Sequence, residues 1–323
     1  MTATAFLAAG GGLVLLAVGG EILLRGALGI ARKLGISPML IGLTIVACAT
    51  SMPELMVTLV AGLDGATDIG VGNVIGSNIA NILLILGVGA LISPLATKPC
   101  DVMRDTIAML IATAIFIAFA LLGTFTIWHG VFMLATLIFY IWRSYYREKK
   151  CNPKEEADPE LAEELEAAPG SIPISILLLL IGVAGLIYGS ELLVDGAEII
   201  ARAAGISETV IGVTLVALGT SLPELATAVV AGIRGHTDVA LGNALGSNIF
   251  NLLLILGVLA IVSPFTVSPA VIEFDMWVMA GVSLLIVPTM IHAGKICRSK
   301  GVFFIALYAA YILYQFKDKL FVA

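Results

Sequence analysis

The chain has 323 residues, of which 59% are hydrophobic and 12% charged, with a formal net charge of −6. Soluble domains carry about 25% charged residues, so this composition excludes a string of ordinary water-soluble domains. Most of the acid excess sits in one run, Arg147 to Glu166, which reads as a solvated linker. Five apolar segments precede it, near residues 5–28, 38–62, 69–93, 105–122 and 125–143. Five follow it, near 172–194, 208–232, 239–262, 276–292 and 301–316. A helix of about 20 residues crosses a hydrocarbon core of about 30 Å. The expected fold is therefore an all-α membrane protein with ten transmembrane helices. Residues 1–146 form a first five-helix repeat, 147–171 an acidic cytosolic linker, and 172–323 a second five-helix repeat. The first segment lacks a basic stretch ahead of it and contains Glu21, which argues against a cleaved signal peptide. Cys48, Cys100, Cys151 and Cys297 have neither metal-ligand nor disulfide-framework spacing.

Lysine and arginine are retained in short cytoplasmic loops. With ten spans, 14 of the 17 basic residues fall on one side, and only Arg202, Lys317 and Lys319 on the other. One missed span would scramble that split. It places both termini outside and the linker inside.

Sliding the sequence on itself by 170 residues aligns Gly42–Glu54 with Gly212–Glu224. From Ile41 to Pro94, 32 of 54 positions are identical without a gap, and Glu21 pairs with Glu191 upstream. Five is an odd number of spans, so the two halves should be inverted relative to each other. Inverted repeats with Gly- and Pro-interrupted helices at matching positions point to a transporter whose site lies near the membrane midplane. The identical positions include Glu54 and Glu224 inside apolar segments. A charge near the bilayer centre costs roughly 2.5–3.5 kcal/mol on insertion scales and signals function.

Each glutamate has the same surroundings. Pro53 should kink its helix and release the carbonyl of Ala49, and Thr50 stands one turn before Glu54. Thr220, Ser221, Pro223 and Glu224 repeat the arrangement. Asn73, Ser77 and Asn81 recur every fourth residue, as do Asn243, Ser247 and Asn251, giving two polar faces. Carboxylate, hydroxyl and carbonyl oxygens suit Ca2+, whereas Zn2+ and later transition metals prefer His and Cys. The same oxygens can hold dehydrated Na+, and two ions that need the same carboxylates compete for them. The pairs Gly72/Gly76 and Gly242/Gly246 should allow close helix approach. Glu21 and Glu191 are expected near span ends, within reach of water, and His129, His236 and His292 at interfaces.

These paired motifs, Gly42–Glu54 with Gly72–Asn81 and Gly212–Glu224 with Gly242–Asn251, resemble the two α-repeats of the cation/Ca2+ antiporter superfamily, and among its members the prokaryotic Na+/Ca2+ exchangers. The resemblance covers nearly the whole chain outside the linker. It implies a central cluster of four cation sites in which Glu54 and Glu224 bind both Ca2+ and Na+. Thr50, Ser51, Thr220, Ser221, Ser77 and Ser247 would complete the sites with the carbonyls of Ala47 and Ala217, and Asn81 and Asn251 would border the middle one. Many such exchangers carry aspartate where this chain has Asn251, which leaves stoichiometry, K+ co-transport and the choice of Na+ or H+ as counter-ion open. The expectation is a secondary antiporter of the cytoplasmic membrane, with no cofactor, no nucleic acid, no obligatory protein partner and no enzymatic activity. A Ca2+/H+ antiporter is the alternative; an intramembrane hydrolase or a non-transporting Ca2+ sensor stands further off.

Overall fold

The structure, a computed structural model, describes residues 2–96, 99–148, 168–204, 217–291 and 295–315. Most of the expected linker, residues 208–216 of the expected seventh span, His292, Lys317 and Lys319 lie outside the described residues. The described chain is almost entirely helical. Helix α1 (Thr2–Leu34) leads into α2 (Pro38–Thr50), α3 (Met52–Leu63) and α4 (Thr67–Ile92). Next come α5 (Pro99–Leu122), α6 (Ile127–Glu148) and α7 (Ile172–Ala203). A single turn, Ala217–Gly219, precedes α8 (Leu222–Ile233), α9 (Thr237–Val262), α10 (Met276–Ile291) and α11 (Arg298–Gln315).

Among the described residues, seven helices are long and apolar enough to cross a bilayer, and the bent pair α2–α3 would make an eighth. Large apolar side chains such as Phe6, Leu13, Leu122, Trp128, Leu180 and Tyr188 point outward, while Asn78, Asn81, Asn243 and Asn251 are buried. Such a distribution, apolar outside and polar within, is the one a lipid solvent favours.

Helix ends follow local chemistry. The Ser37 hydroxyl accepts from the Leu40 amide to cap α2, with Pro38 in the first turn. Gly65 and Gly235, 170 residues apart, have φ of +77° and +82° and make the tight turns after α3 and α8.

Helices α1 and α7 run antiparallel in close contact. A Cβ on Gly12 would lie 2.6 Å from the Gly189 carbonyl oxygen, one on Gly26 2.6 Å from the Leu179 amide, and one on Gly196 2.6 Å from the Ala5 carbonyl. The glycines involved, Gly12, Gly19 and Gly26 against Gly182, Gly189 and Gly196, recur every seventh residue on both helices. They let the two backbones touch.

Inside this pair, α2 packs against α9. A Cβ at Gly42 would meet the Val239 carbonyl at 2.7 Å, and one at Gly242 the Met39 carbonyl at 2.5 Å. Close approach is thus realised at Gly242 and Gly246, whereas Gly72 and Gly76 meet no described residue that closely. Two short strand pairs tie the helix ends. β1 (Leu95–Ala96) pairs with β4 (Lys295–Ile296), and β2 (Thr124–Phe125) with β3 (Phe265–Thr266), both antiparallel.

Two details differ from expectation. The break in the second span falls at Ser51, two residues before Pro53, with a 42° bend between α2 and α3. Proline is tolerated in the first turn of a helix because the amide it lacks would be unpaired there, so the chain ends one helix and starts another. Helices α1 and α7 also extend beyond the expected spans, so Glu21 and Glu191 lie inside helices, away from their ends.

Candidate cation site

The break at Ser51 decides how Glu54 is held. Ser51 has φ −80° and ψ 7°, and Glu54 then falls in the first turn of α3. Ser221 repeats this with φ −90° and ψ 4°, placing Glu224 in the first turn of α8. The free amides and positive dipole end of a helix stabilise a carboxylate there. That matters because both side chains are only 1% exposed.

The two halves exchange their partners. Ser51 donates its hydroxyl to Glu224 Oε1 at 3.3 Å, and Ser221 donates to Glu54 Oε1 at 3.3 Å. Thr50 donates to Asn243 Oδ1 at 3.2 Å, and Thr220 to Asn73 Oδ1 at 3.4 Å. Every one of these contacts crosses from one half to the other, and each pair of bonds is related by the 170-residue offset. Ser77 lies 3.3 Å from the Ser221 hydroxyl. Asn73 Nδ2 reaches the Glu54 carbonyl at 3.5 Å and Thr58 Oγ1 at 3.3 Å, bracing the glutamate helix from α4.

Oxygens remain unpaired around this centre. Among the described residues, Glu54 Oε2, Glu224 Oε2, Ser247 Oγ, Asn81 Oδ1, Asn78 Oδ1 and Asn251 Oδ1 are buried without a hydrogen-bond partner, as are two amide nitrogens, Asn243 Nδ2 and Asn251 Nδ2. Native interiors leave few polar atoms in that condition, and each calls for a ligand or another explanation. Asn81 and Asn251 also open π-helical turns, Asn81–Ile85 and Asn251–Ile255, in the middle of α4 and α9. Such turns disturb the regular helical ladder and are frequent at functional sites.

These contacts bring together Thr50, Ser51, Glu54, Ser77, Thr220, Ser221 and Glu224, while Asn81, Ser247 and Asn251 are buried on the polar helix faces that carry Ser77 and Asn243. Ala47 is different. Its carbonyl already accepts from the Ser51 amide at 3.0 Å and lies 3.4 Å from the Thr50 hydroxyl, whose one proton it shares with the nearer Asn243 Oδ1. In the second half the Ser221 amide meets the Leu218 carbonyl at 3.1 Å. No group of three or more His, Cys, Asp or Glu occurs among the described residues, so the donors are hydroxyl, amide and carbonyl oxygens with two carboxylates. This hard-oxygen set suits alkali or alkaline-earth cations.

Several residues at or beside this site are not marked out by sequence alone. Asn78 and Asn248 contact Met279 and Met109. Asp105 is buried, paired with Arg104 at 2.8 Å and with the Tyr140 hydroxyl at 3.2 Å; its offset mate Asp275 takes the Tyr311 hydroxyl at 3.0 Å. One signal does point to them: Asp105/Asp275 and Met109/Met279 keep the same 170-residue offset beyond the gap-free window.

Comparison with known proteins agrees with this geometry. The family described as sodium/calcium exchanger protein matches residues 4–146 and 174–317. The putative antiporter CaxA of Alkalimonas amylolytica is 38% identical over 94% of this chain and 95% of its own. Inner membrane protein YrbG of Escherichia coli is 35% identical over 85% of each chain. A solved structure of the sodium-calcium exchanger NCX_Mj, soaked with Na+ and Sr2+, superposes with a TM-score of 0.81 at 33% identity, covering 97% of this chain and 99% of that one.

Proposed function

Since the chain belongs to the sodium/calcium exchanger protein family, we propose that it exchanges Ca2+ for Na+ across the cytoplasmic membrane by alternating access at the site between Glu54 and Glu224. The observation that carries this reading is the reciprocal pair of carboxylates, each buried to 1% and each with one oxygen unpartnered among the described residues. Two like charges buried together are costly, and a divalent cation between them removes the repulsion and satisfies both free oxygens. Thr50, Ser51, Ser77, Thr220, Ser221 and Ser247 supply neutral oxygens around it, with Asn81 and Asn251 bordering the centre. Ala47 contributes its carbonyl only where the Thr50 hydroxyl turns away, and Ala217 is its counterpart.

Na+ enters the same oxygen set. When Ca2+ and Na+ compete for one pair of carboxylates, and the empty pair repels itself, the site crosses between sides only when loaded. That restriction produces exchange instead of a leak. The chain is read as ten helices in two inverted repeats, residues 1–146 and 172–323, joined by the linker 147–171. The antiparallel α1–α7 pair and the offset-related contacts support inversion. In this reading both termini lie outside and the linker inside, which the 14-to-3 division of basic residues supports.

Purified protein in Ca2+-free liposomes loaded with Na+ tests the reading. Ca2+ uptake is expected to follow an outward Na+ gradient and to vanish when choline replaces Na+. Uptake that follows a pH gradient and ignores Na+ would replace this reading with Ca2+/H+ exchange.

A further inference from the structure

The polar centre extends one layer past the residues assigned above, onto α5 and α10. Asn248 on α9 donates both of its amide protons, one to Met109 Sδ at 3.5 Å and one to the Asn78 carbonyl at 3.3 Å. Its own oxygen accepts from Asn81 Nδ2 at 3.0 Å. Asn78 on α4 donates to Met279 Sδ at 3.7 Å. Asn78 and Asn248 are 170 residues apart, as are Met109 and Met279, so the same amide–thioether contact is made twice and crosses between the halves both times. All four side chains are buried.

An asparagine amide presents an oxygen or a nitrogen depending on a half-turn about one bond. Hydroxyl neighbours do not decide between the two, because a hydroxyl donates or accepts. A thioether has only lone pairs. Sulfur beside the amide therefore draws in the nitrogen and turns the oxygen the other way. For Asn248 that orientation, which the Asn78 carbonyl favours as well, sends its oxygen to Asn81 Nδ2 and leaves Asn81 Oδ1 unpartnered. For Asn78 it leaves Oδ1 itself unpartnered and buried. A cation site requires outward-turned oxygens of this kind and repels amide protons.

We propose that Met109 and Met279 are positioning residues of the cation site: as acceptor-only partners they fix Asn248 and Asn78 so that amide oxygens, not amide protons, face the ions. The proposal rests on the exchanger reading given above. A methionine that merely fills space, its commonest use in an interior, would be replaced by leucine at little cost to ion binding.

The test measures Na+-driven Ca2+ uptake and equilibrium Ca2+ binding for the wild type, Met109→Leu, Met279→Leu and the double variant. Met133→Leu, at a buried methionine on α6, is the packing control. The expected result is a rise in KM and Kd for Ca2+ of about 3- to 10-fold in each single variant, the range given by losing one modest hydrogen bond. Turnover and melting temperature should stay close to those of Met133→Leu. Replacing all methionines with norleucine, sulfur for methylene at constant shape, gives a second arm if a leucine variant does not assemble, and should raise the KM in the same way.

Unchanged KM and Kd in both leucine variants, or in the norleucine protein, would overturn the positioning role while leaving the exchanger reading intact. A wild-type protein that neither binds nor moves Ca2+ would overturn both.

Discussion

Arg234 Nε lies 2.8 Å from Glu21 Oε2, joining the C-terminal end of α8 to the middle of α1. Glu21 also accepts from Arg25 at 2.9 Å. The positions related by the offset are Asp64, at the end of α3, and Glu191 on α7, which are both acids. The clasp thus joins the two halves once, and at the offset-related positions two acids stand where an ion pair would be needed. A cation suits a helix C-terminus and an acid does not, which adds to the difference. Because Arg234 is about half exposed, the pair contributes no more than about 1 kcal/mol. A double-mutant cycle of Glu21→Gln and Arg234→Gln, read by thermal unfolding in detergent, is expected to give a coupling of that size that fades at high salt. A coupling of several kcal/mol would mean that the pair is held in a dry interface.

Removing either central carboxylate has a different expected profile. Glu54→Gln and Glu224→Gln should each lower Ca2+ flux on the order of 100-fold or more, since an uncompensated change at a buried charge pair is worth about 3 kcal/mol or more. Without Ca2+, both variants should be at least as stable as the wild type, because one of two mutually repelling buried charges has gone. Flux assays and melting curves in chelator check the two halves of this statement.

Ser51→Ala and Ser221→Ala should behave as a matched pair. Each removes one 3.3 Å hydroxyl contact to the opposite glutamate, worth about 1 kcal/mol, or roughly fivefold in Ca2+ affinity. Isothermal titration that found one serine essential and the other dispensable would contradict the reciprocity of the site.

Glycine positions divide by what surrounds them. Gly42→Val forces a side chain into the backbone of α9 and should destabilise by about 1–3 kcal/mol or more. A methyl group at Gly10 would meet nothing within 4 Å, so Gly10→Ala should gain about 0.5–1 kcal/mol from helix propensity. Chemical unfolding in mixed micelles measures both.

Asn251→Asp places a third acid where both amide atoms are buried and without partners. The protonated form resembles asparagine, and the ionised form adds a charge that attracts cations. The ratio of variant to wild-type Ca2+ affinity should therefore rise with pH and approach one at low pH. A ratio independent of pH would show that the new acid does not face the ions.

Much of the site is legible in the sequence, for a physical reason. Glu54, Ser51, Asn81 and their offset mates are polar residues inside apolar segments, where lipid makes every polar atom conspicuous. Methionine carries no such mark. Met109 and Met279 read as core packing until the amides of Asn248 and Asn78 are seen against them. Sequence puts the break at Pro53 and the structure puts it at Ser51, because a sequence identifies the residue that cannot continue a helix, not the one that bends to begin the next. Glu21 reads as a residue near a span end; the structure places it in mid-helix, where it meets Arg234 of the other half. The crossed pairing of serine with the opposite glutamate is not legible at all. Spacing along one helix fixes which residues share a face, but not which face of another helix they meet.

The crossed bonds have a further consequence. Two separate copies of one half, meeting through the contacts Ser51–Glu224 and Ser221–Glu54, would form an isologous interface, in which every residue must serve at both ends of the two-fold axis. A change made to improve one entrance would be imposed on the other. Joined in one chain, the halves keep identical residues at the proposed cation site and are free to differ elsewhere, as Arg234 and Asp64 do. The two mouths of a symmetric passage can thereby acquire different locks while sharing one keyhole.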